Sequence, residues 1–168
     1  MREIFEDEIT THLKLLLTEK LDLVRSRWVI YEEDKDQVGT GAVVEVYEDL
    51  QPLLQYTPSV EIVEIEGDQT QIAIGSQHEE FKYELLVSIG SVHPEHAKKY
   101  LKRIAHSVTE ILNTYEYRAF LVPGTNFRVY DSYASNIEWG YRRGKGLLSA
   151  KIPWTAKLFK PDKSSPRS

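Results

Sequence analysis

The chain has 168 residues, 41% of them hydrophobic and 28% charged, the make-up of one folded domain with a core of its own rather than of a disordered chain. It contains no cysteine, which excludes disulfides, thiolate zinc sites and cysteine nucleophiles and fits a reducing compartment. No apolar run approaches the roughly 20 residues that cross a bilayer, and the acidic, amphipathic start "MREIFEDEIT" is not a secretory signal.

In chain order, Phe5, Ile9, Leu13, Leu16, Leu17, Leu21 and Val24 recur at steps of three and four, predicting an amphipathic helix over 2–24. Glu3, Glu6, Asp7 and Glu8 sit near its start, where the helix dipole favours negative charge. "RWVIY" at 27–31 reads as a strand and "EEDKDQ" as a charged turn. The stretch 33–58, with two glycines and two prolines after residue 38, reads as irregular. "VEIVEIE" and "TQIAIGS" each alternate around the turn "GDQ", so 59–76 is expected to be a β-hairpin. Phe81, Tyr83, Leu85, Val87 and Ile89 then alternate on one side of a long strand.

His93 and His96 follow at H-x-x-H spacing, and on a helix such a pair could share a metal ion. Pro94 and Glu95 instead mark the first turn of a helix, which places His93 at the cap. No third ligand stands at a familiar spacing. The pair therefore reads as the joint between strand and helix. That helix carries Ala97, Tyr100, Leu101, Ile104, Val108, Ile111, Leu112 and Tyr115 on its apolar face. Lys98, Lys99, Lys102 and Arg103 lie opposite.

Beyond it, "RAFLV" predicts a short strand and "PGTN" a turn. "FRVYDSYASNIEWGY" and "LLSAKIPWTAKLF" predict a long hairpin closed by the basic turn "RRGKG", with Arg142, Arg143 and Lys145 at its tip. Gly144 and Gly146 would supply positive φ there. Pro153 inside the return strand argues for an edge or a bulge. The polar ending, 161–168, reads as a flexible tail beyond a domain spanning 1–160. The predicted fold is α+β: a mainly antiparallel sheet packed by two amphipathic helices, with a long C-terminal β-hairpin.

Charge is unevenly spread. Residues 1–84 hold 20 acidic and 7 basic side chains, a balance of −13, and residues 85–168 hold 6 and 14, a balance of +8; together they give the net −5. Opposite halves can pair within one fold or between copies placed head to tail.

Chemical motifs are scarce. Neither a phosphate loop nor a dinucleotide fingerprint occurs, and "GYRRGKGLL" is flanked by strands rather than by a helix N-terminus. There is no G-x-S-x-G elbow, and Ser107 has no evident base; His106 reads as a surface residue. The acidic runs lack calcium-loop spacing. No enzyme activity, catalytic residue, metal or cofactor is expected. A nucleic-acid-binding domain is the main alternative from another class, because Tyr130, Tyr133, Trp139 and Tyr141 lie near the basic tip. Those rings could equally fill cross-strand pairs of a sheet.

With its elements in order, the chain resembles the tail terminator (tail completion) proteins of tailed bacteriophages. The resemblance is one of pattern and spans about 2–160. It rests on the first helix, the entry "TPSVEIVEI", the strand "EEFKYELLVSIGS", the helix "HPEHAKKYLKRIAHSVTEIL" and the closing "FRVYDSYASNIEWGYRRGKGLLSAKIPWTAKLF". The resemblance implies a homo-hexameric ring that caps the tail tube and joins it to the neck and head. Its partners would be other copies of the chain, the tube protein, neck or connector proteins and the sheath. DNA would pass through without specific binding, and no membrane is involved. The location would be the virion tail or neck, reached from the host cytoplasm during assembly. A head–tail connector or neck protein is the alternative within that class. Arg142, Arg143, Lys145, Lys98 and Lys102 are the expected interface residues, and the acidic turns are expected to face the lumen.

Overall fold

A computed structural model describes residues 2–25, 44–51, 58–65, 77–90, 94–125, 127–141 and 147–160. Helix α1 covers Arg2–Arg25 and α2 covers Pro94–Leu112. The strands are β1 (Glu45–Tyr47), β2 (Ser59–Ile65), β3 (Gln77–Gly90), β4 (Phe120–Leu121), β5 (Arg128–Ala134), β6 (Glu138–Tyr141) and β7 (Leu147–Lys160). They form one sheet in the order β1-β2-β3-β7-β5-β4, with β6 also paired to β7. Only β1–β2 is parallel; the other pairings are antiparallel. The α+β reading thus holds at the level of two helices and a mostly antiparallel sheet.

Alternation along the two longest strands builds the core. Phe81, Tyr83, Leu85, Val87 and Ile89 of β3 and Ala150, Ile152, Trp154, Ala156 and Leu158 of β7 point to one face, all of them buried. Across the ladder Phe81 faces Ala156 and Val87 faces Ala150, while between them Tyr83 meets Trp154 and Leu85 meets Ile152. Helix α2 lies on β3 and β7, and α1 packs on α2 and reaches β1 and β2. Ile9, Leu13, Leu17 and Leu21, one every four residues, bring the buried stripe of α1 into the same cluster.

Several expectations are corrected. β2 pairs antiparallel with β3 along its whole length; the second arm of the expected 59–76 hairpin lies within 66–76, outside the described residues. So do "RWVIY" at 27–31 and the tail 161–168. Within the stretch read as irregular, β1 is a strand: Val44 and Val46 are buried and Glu45 is exposed. β3 begins at Gln77 rather than at Phe81. Helix α2 ends at Leu112, and Tyr115, expected on its apolar face, is 89% exposed in a 3-10 turn. There Thr114 turns extended, and its hydroxyl donates to the Glu110 carbonyl.

The stretch 127–141 is also not one strand. It breaks at 135–137, and β5 and β6 pair in succession with β7. β7 is consequently interior, flanked by β3 on one side and by β5 and β6 on the other, not an edge arm. Pro153 sits opposite the break. Its carbonyl accepts from the Ser135 N–H at 2.8 Å, and in a strand the N–H and C=O of one residue point the same way. Its missing N–H therefore faces the gap, where no ladder bond is due.

The "PGTN" turn is found. Thr125 N–H donates to the Val122 carbonyl at 3.1 Å. Pro123 and Gly124 occupy the central positions, with Gly124 at φ 76°, the arrangement of a type II turn. A second positive φ, 79° at Gly140, coincides with the register shift between Trp139 and Tyr141, a bulge that a glycine accommodates without strain.

Candidate functional site

Of the five expected interface residues, Lys98 and Lys102 are exposed on α2. Arg142, Arg143 and Lys145 lie outside the described residues, as does His93 of the H-x-x-H pair. Among the described residues, no group of three or more histidine, aspartate or glutamate side chains could hold a metal ion. No described helix is long and apolar enough to cross a membrane.

Lys98, Lys102 and His106 stand at i, i+4 and i+8 and so share one line along α2. His106 is exposed, and its ring lies 5.6 Å from that of Trp139 at a 54° tilt. Here α2 passes the β5–β6 break, leaving an open groove of about 420 Å³ lined by His106, Thr109, Asn113, Asn136, Ile137 and Trp139. Trp139 remains 46% exposed, an amphipathic ring held at a rim.

The groove is rigidly built. The Asn113 side chain donates to the Ala134 carbonyl at 3.1 Å and accepts from the Ala134 N–H at 2.8 Å. That two-way bond ties the end of α2 to the end of β5 and fixes where the strand breaks. One N–H and one lone pair of the amide are committed to this task, and the groove also presents the imidazole, the indole and the Asn136 amide to a visitor.

The aromatic set considered for nucleic-acid binding is not gathered at one place. Trp139 points to the helix side with its partner Ala150. Tyr133 pairs with Thr155 on the opposite side, where Lys157 lies 5.9 Å from its ring.

At the other edge, β1 leads into an acidic bend. Glu45, Glu48 and Asp49 are exposed, and Leu50 beside them is 47% exposed. The bend is pinned from below. The Asp49 carboxylate accepts the Leu50 N–H at 2.7 Å, and Glu61, fully buried, accepts the Gln51 N–H at 2.6 Å. A buried carboxylate spent on a backbone N–H is a strong charge-assisted bond, so Leu50 is displayed by a fixed turn.

The second face of the sheet pairs charges internally. Lys151 Nζ lies 3.4 Å from Glu84 and 3.5 Å from Glu138. Burial would push its pKa down, but the two carboxylates outweigh this and hold it above the ordinary lysine value. Arg118 meets Asp131 at 2.9 Å. The Lys151–Glu84 pair joins the basic half to the acidic half within one fold, whereas Lys98, Lys102, Glu45 and Glu48 make no ion pair among the described residues.

Sequence reasoning picked out Lys98 and Lys102 but missed the groove and the acidic bend. The signals were there only in part: His106 continues the i, i+4 line of lysines, while Leu50 beside Asp49 looks like any loop residue until its exposure is known. No family model matches the chain, and no curated protein is detectably similar to it.

Proposed function

We propose that the chain is a structural assembly protein that forms a ring, and that it acts as a tail terminator of a tailed bacteriophage. The observation that carries the reading is the placement of its unpaired charges. Acidic groups beside the exposed Leu50 follow the edge strand β1, whereas Lys98 and Lys102 stand exposed on helix α2, over β3 and β7. Such a layout suits heterologous contacts, in which one face of each copy meets a different face of the next. The resemblance in element order supplies the phage context. On this reading the helices brace the sheet, and Arg142, Arg143 and Lys145, which lie between β6 and β7 in sequence, serve contacts with a neighbour. The tube, neck and sheath are the outer partners. A connector or neck protein is the variant reading, separated by ring order.

The test is the molar mass of the purified chain by light scattering over a concentration series, with electron microscopy of the largest species. A closed ring of about six copies, the family's expected order, supports the terminator, and about twelve supports a connector. A monomer at every concentration, joined by salt-dependent DNA binding that is lost on Lys98→Glu, would replace the reading with a nucleic-acid-binding one.

A further inference from the structure

The strand ladder places the acidic bend and the groove at the two ends of the same rows. Val46 pairs with Val60, Val60 with Val87, Val87 with Ala150, and Ala150 with Trp139. One row below, Tyr47, Glu61, Leu86, Lys151 and Glu138 repeat the path. β1 and β6 are thus separated by β2, β3 and β7, four strand spacings of about 4.8 Å, or roughly 19 Å along the sheet. Two surfaces so placed on a single chain cannot touch each other.

We infer that the acidic bend of one copy docks into the α2–β6 groove of the next, with Leu50 seated against Trp139 and Ile137 and with Glu48 and Asp49 facing Lys98 and Lys102. The inference rests on the ring reading and names its interface. Charge complementarity selects and orients the occupant: Lys102 and Lys98 stand one and two turns before His106 on α2, whose line ends at Glu110 on the far side of the groove, and the bend carries Glu48 and Asp49 with Glu45 in the strand before it, all exposed. Size agrees as well, since a single leucine side chain is small enough to enter a groove of about 420 Å³. An exposed apolar side chain inside a charged rim is the usual anatomy of an interface anchor. Because the two surfaces differ and lie at opposite edges, the contact is heterologous and propagates around a ring or along a filament instead of closing as a two-fold dimer.

The chain has no cysteine, so introduced thiols report the contact without background. Leu50→Cys and Asn136→Cys are made as separate full-length proteins and oxidised alone and as an equimolar mixture. The expected result is little cross-linking in either protein alone and a disulfide dimer in the mixture. A chain carrying both substitutions should give a ladder that ends at the ring size. In parallel, the Glu48→Lys/Asp49→Lys and Lys98→Glu/Lys102→Glu proteins should each self-associate at least about tenfold more weakly, since like charges then face each other. Mixing the two should restore assembly, because each reversed face meets its reversed complement.

Homodimers from either single-cysteine protein, or no mixed dimer at all, would overturn the interface. If the unmodified chain still forms a closed ring in that case, the ring reading survives without this contact. If it is monomeric throughout, both fail. Charge reversal at Lys98 and Lys102 that abolishes binding to a single-stranded DNA oligomer and leaves assembly intact would assign that face to nucleic acid instead.

Discussion

The two faces of the sheet are made from alternate residues of the same strands, yet they are stabilised in different ways. On the helix side, β3 and β7 present Phe81, Tyr83, Leu85, Ile152 and Trp154, each at most 2% exposed. On the far side the same strands present Lys82, Glu84, Leu86, Ser88, Ser149 and Lys151. Alternation alone would make that face a wet one. It is not uniformly wet: Glu61, Leu86, Ser88 and Ser149 are all buried there. Around Ser88 and Ser149, whose hydroxyls bond at 2.8 Å, the face is closed and holds itself by hydrogen bonds. Around Lys151 it is half open and carries interleaved charges. Burial and polarity are therefore separate properties of a strand position, and at Ser88, Ser149 and Glu61 a specific bond accompanies the buried polar group.

The largest expected effect tests the apolar side. Trp154→Ala removes an indole that meets the Tyr83 ring at 5.4 Å and should cost about 3–5 kcal/mol in denaturant unfolding; a loss below about 1 kcal/mol would mean that this face is not the core. Next comes the buried carboxylate of the far side. Glu61→Ala strands the Gln51 N–H and should cost about 1–3 kcal/mol, with faster amide exchange at residues 48–51, and an unchanged exchange rate there would break the account of the pinned bend. Smaller still is the serine pair. Ser88→Ala should cost about 0.5–1.5 kcal/mol, while the double change with Ser149→Ala should cost clearly less than the sum of the singles. Additive costs would show that the two hydroxyls do not act together.

The smallest effect concerns pH. His12 of α1 stacks on Phe120 at 3.8 Å and 14°, and burial lowers its pKa from the ordinary 6.5. A histidine with a lowered folded pKa favours the neutral form, so its stability is present above pH 6.5 and is lost as the pH falls towards the folded value. Thermal melts on either side of that pH should show the His12→Phe protein losing less stability on acidification than the parent chain. Equal losses would remove His12 from the account.

Much of this architecture was legible in the order of residues. The steps of four in α1, the proline at the start of α2, the alternation of β3 and the Pro-Gly turn are local patterns, and each was read where it stands. What was misread depends on neighbours distant in sequence. β1 is only three residues long, and its alternation is too short to stand out until β2 lies beside it. The break at 135–137 carries no strong local stop signal, because Asn113, 21 residues earlier, makes it by bonding the Ala134 backbone. The candidate site divides in the same way: Lys98 and Lys102 follow from helical spacing, whereas Leu50, Trp139 and His106 gain meaning only from exposure and proximity.

By itself the sequence determined where the two helices begin, which face of the long strands is apolar, and that the two halves carry opposite charge. Those properties follow from side-chain chemistry and from backbone periods of 3.6 and 2. Tertiary structure alone decided that β7 is interior, that Glu61 is buried, and that the acidic bend and the groove end the same ladder rows. Strand order and register come from long-range pairing, in which a shift of one residue would turn every side chain to the other face.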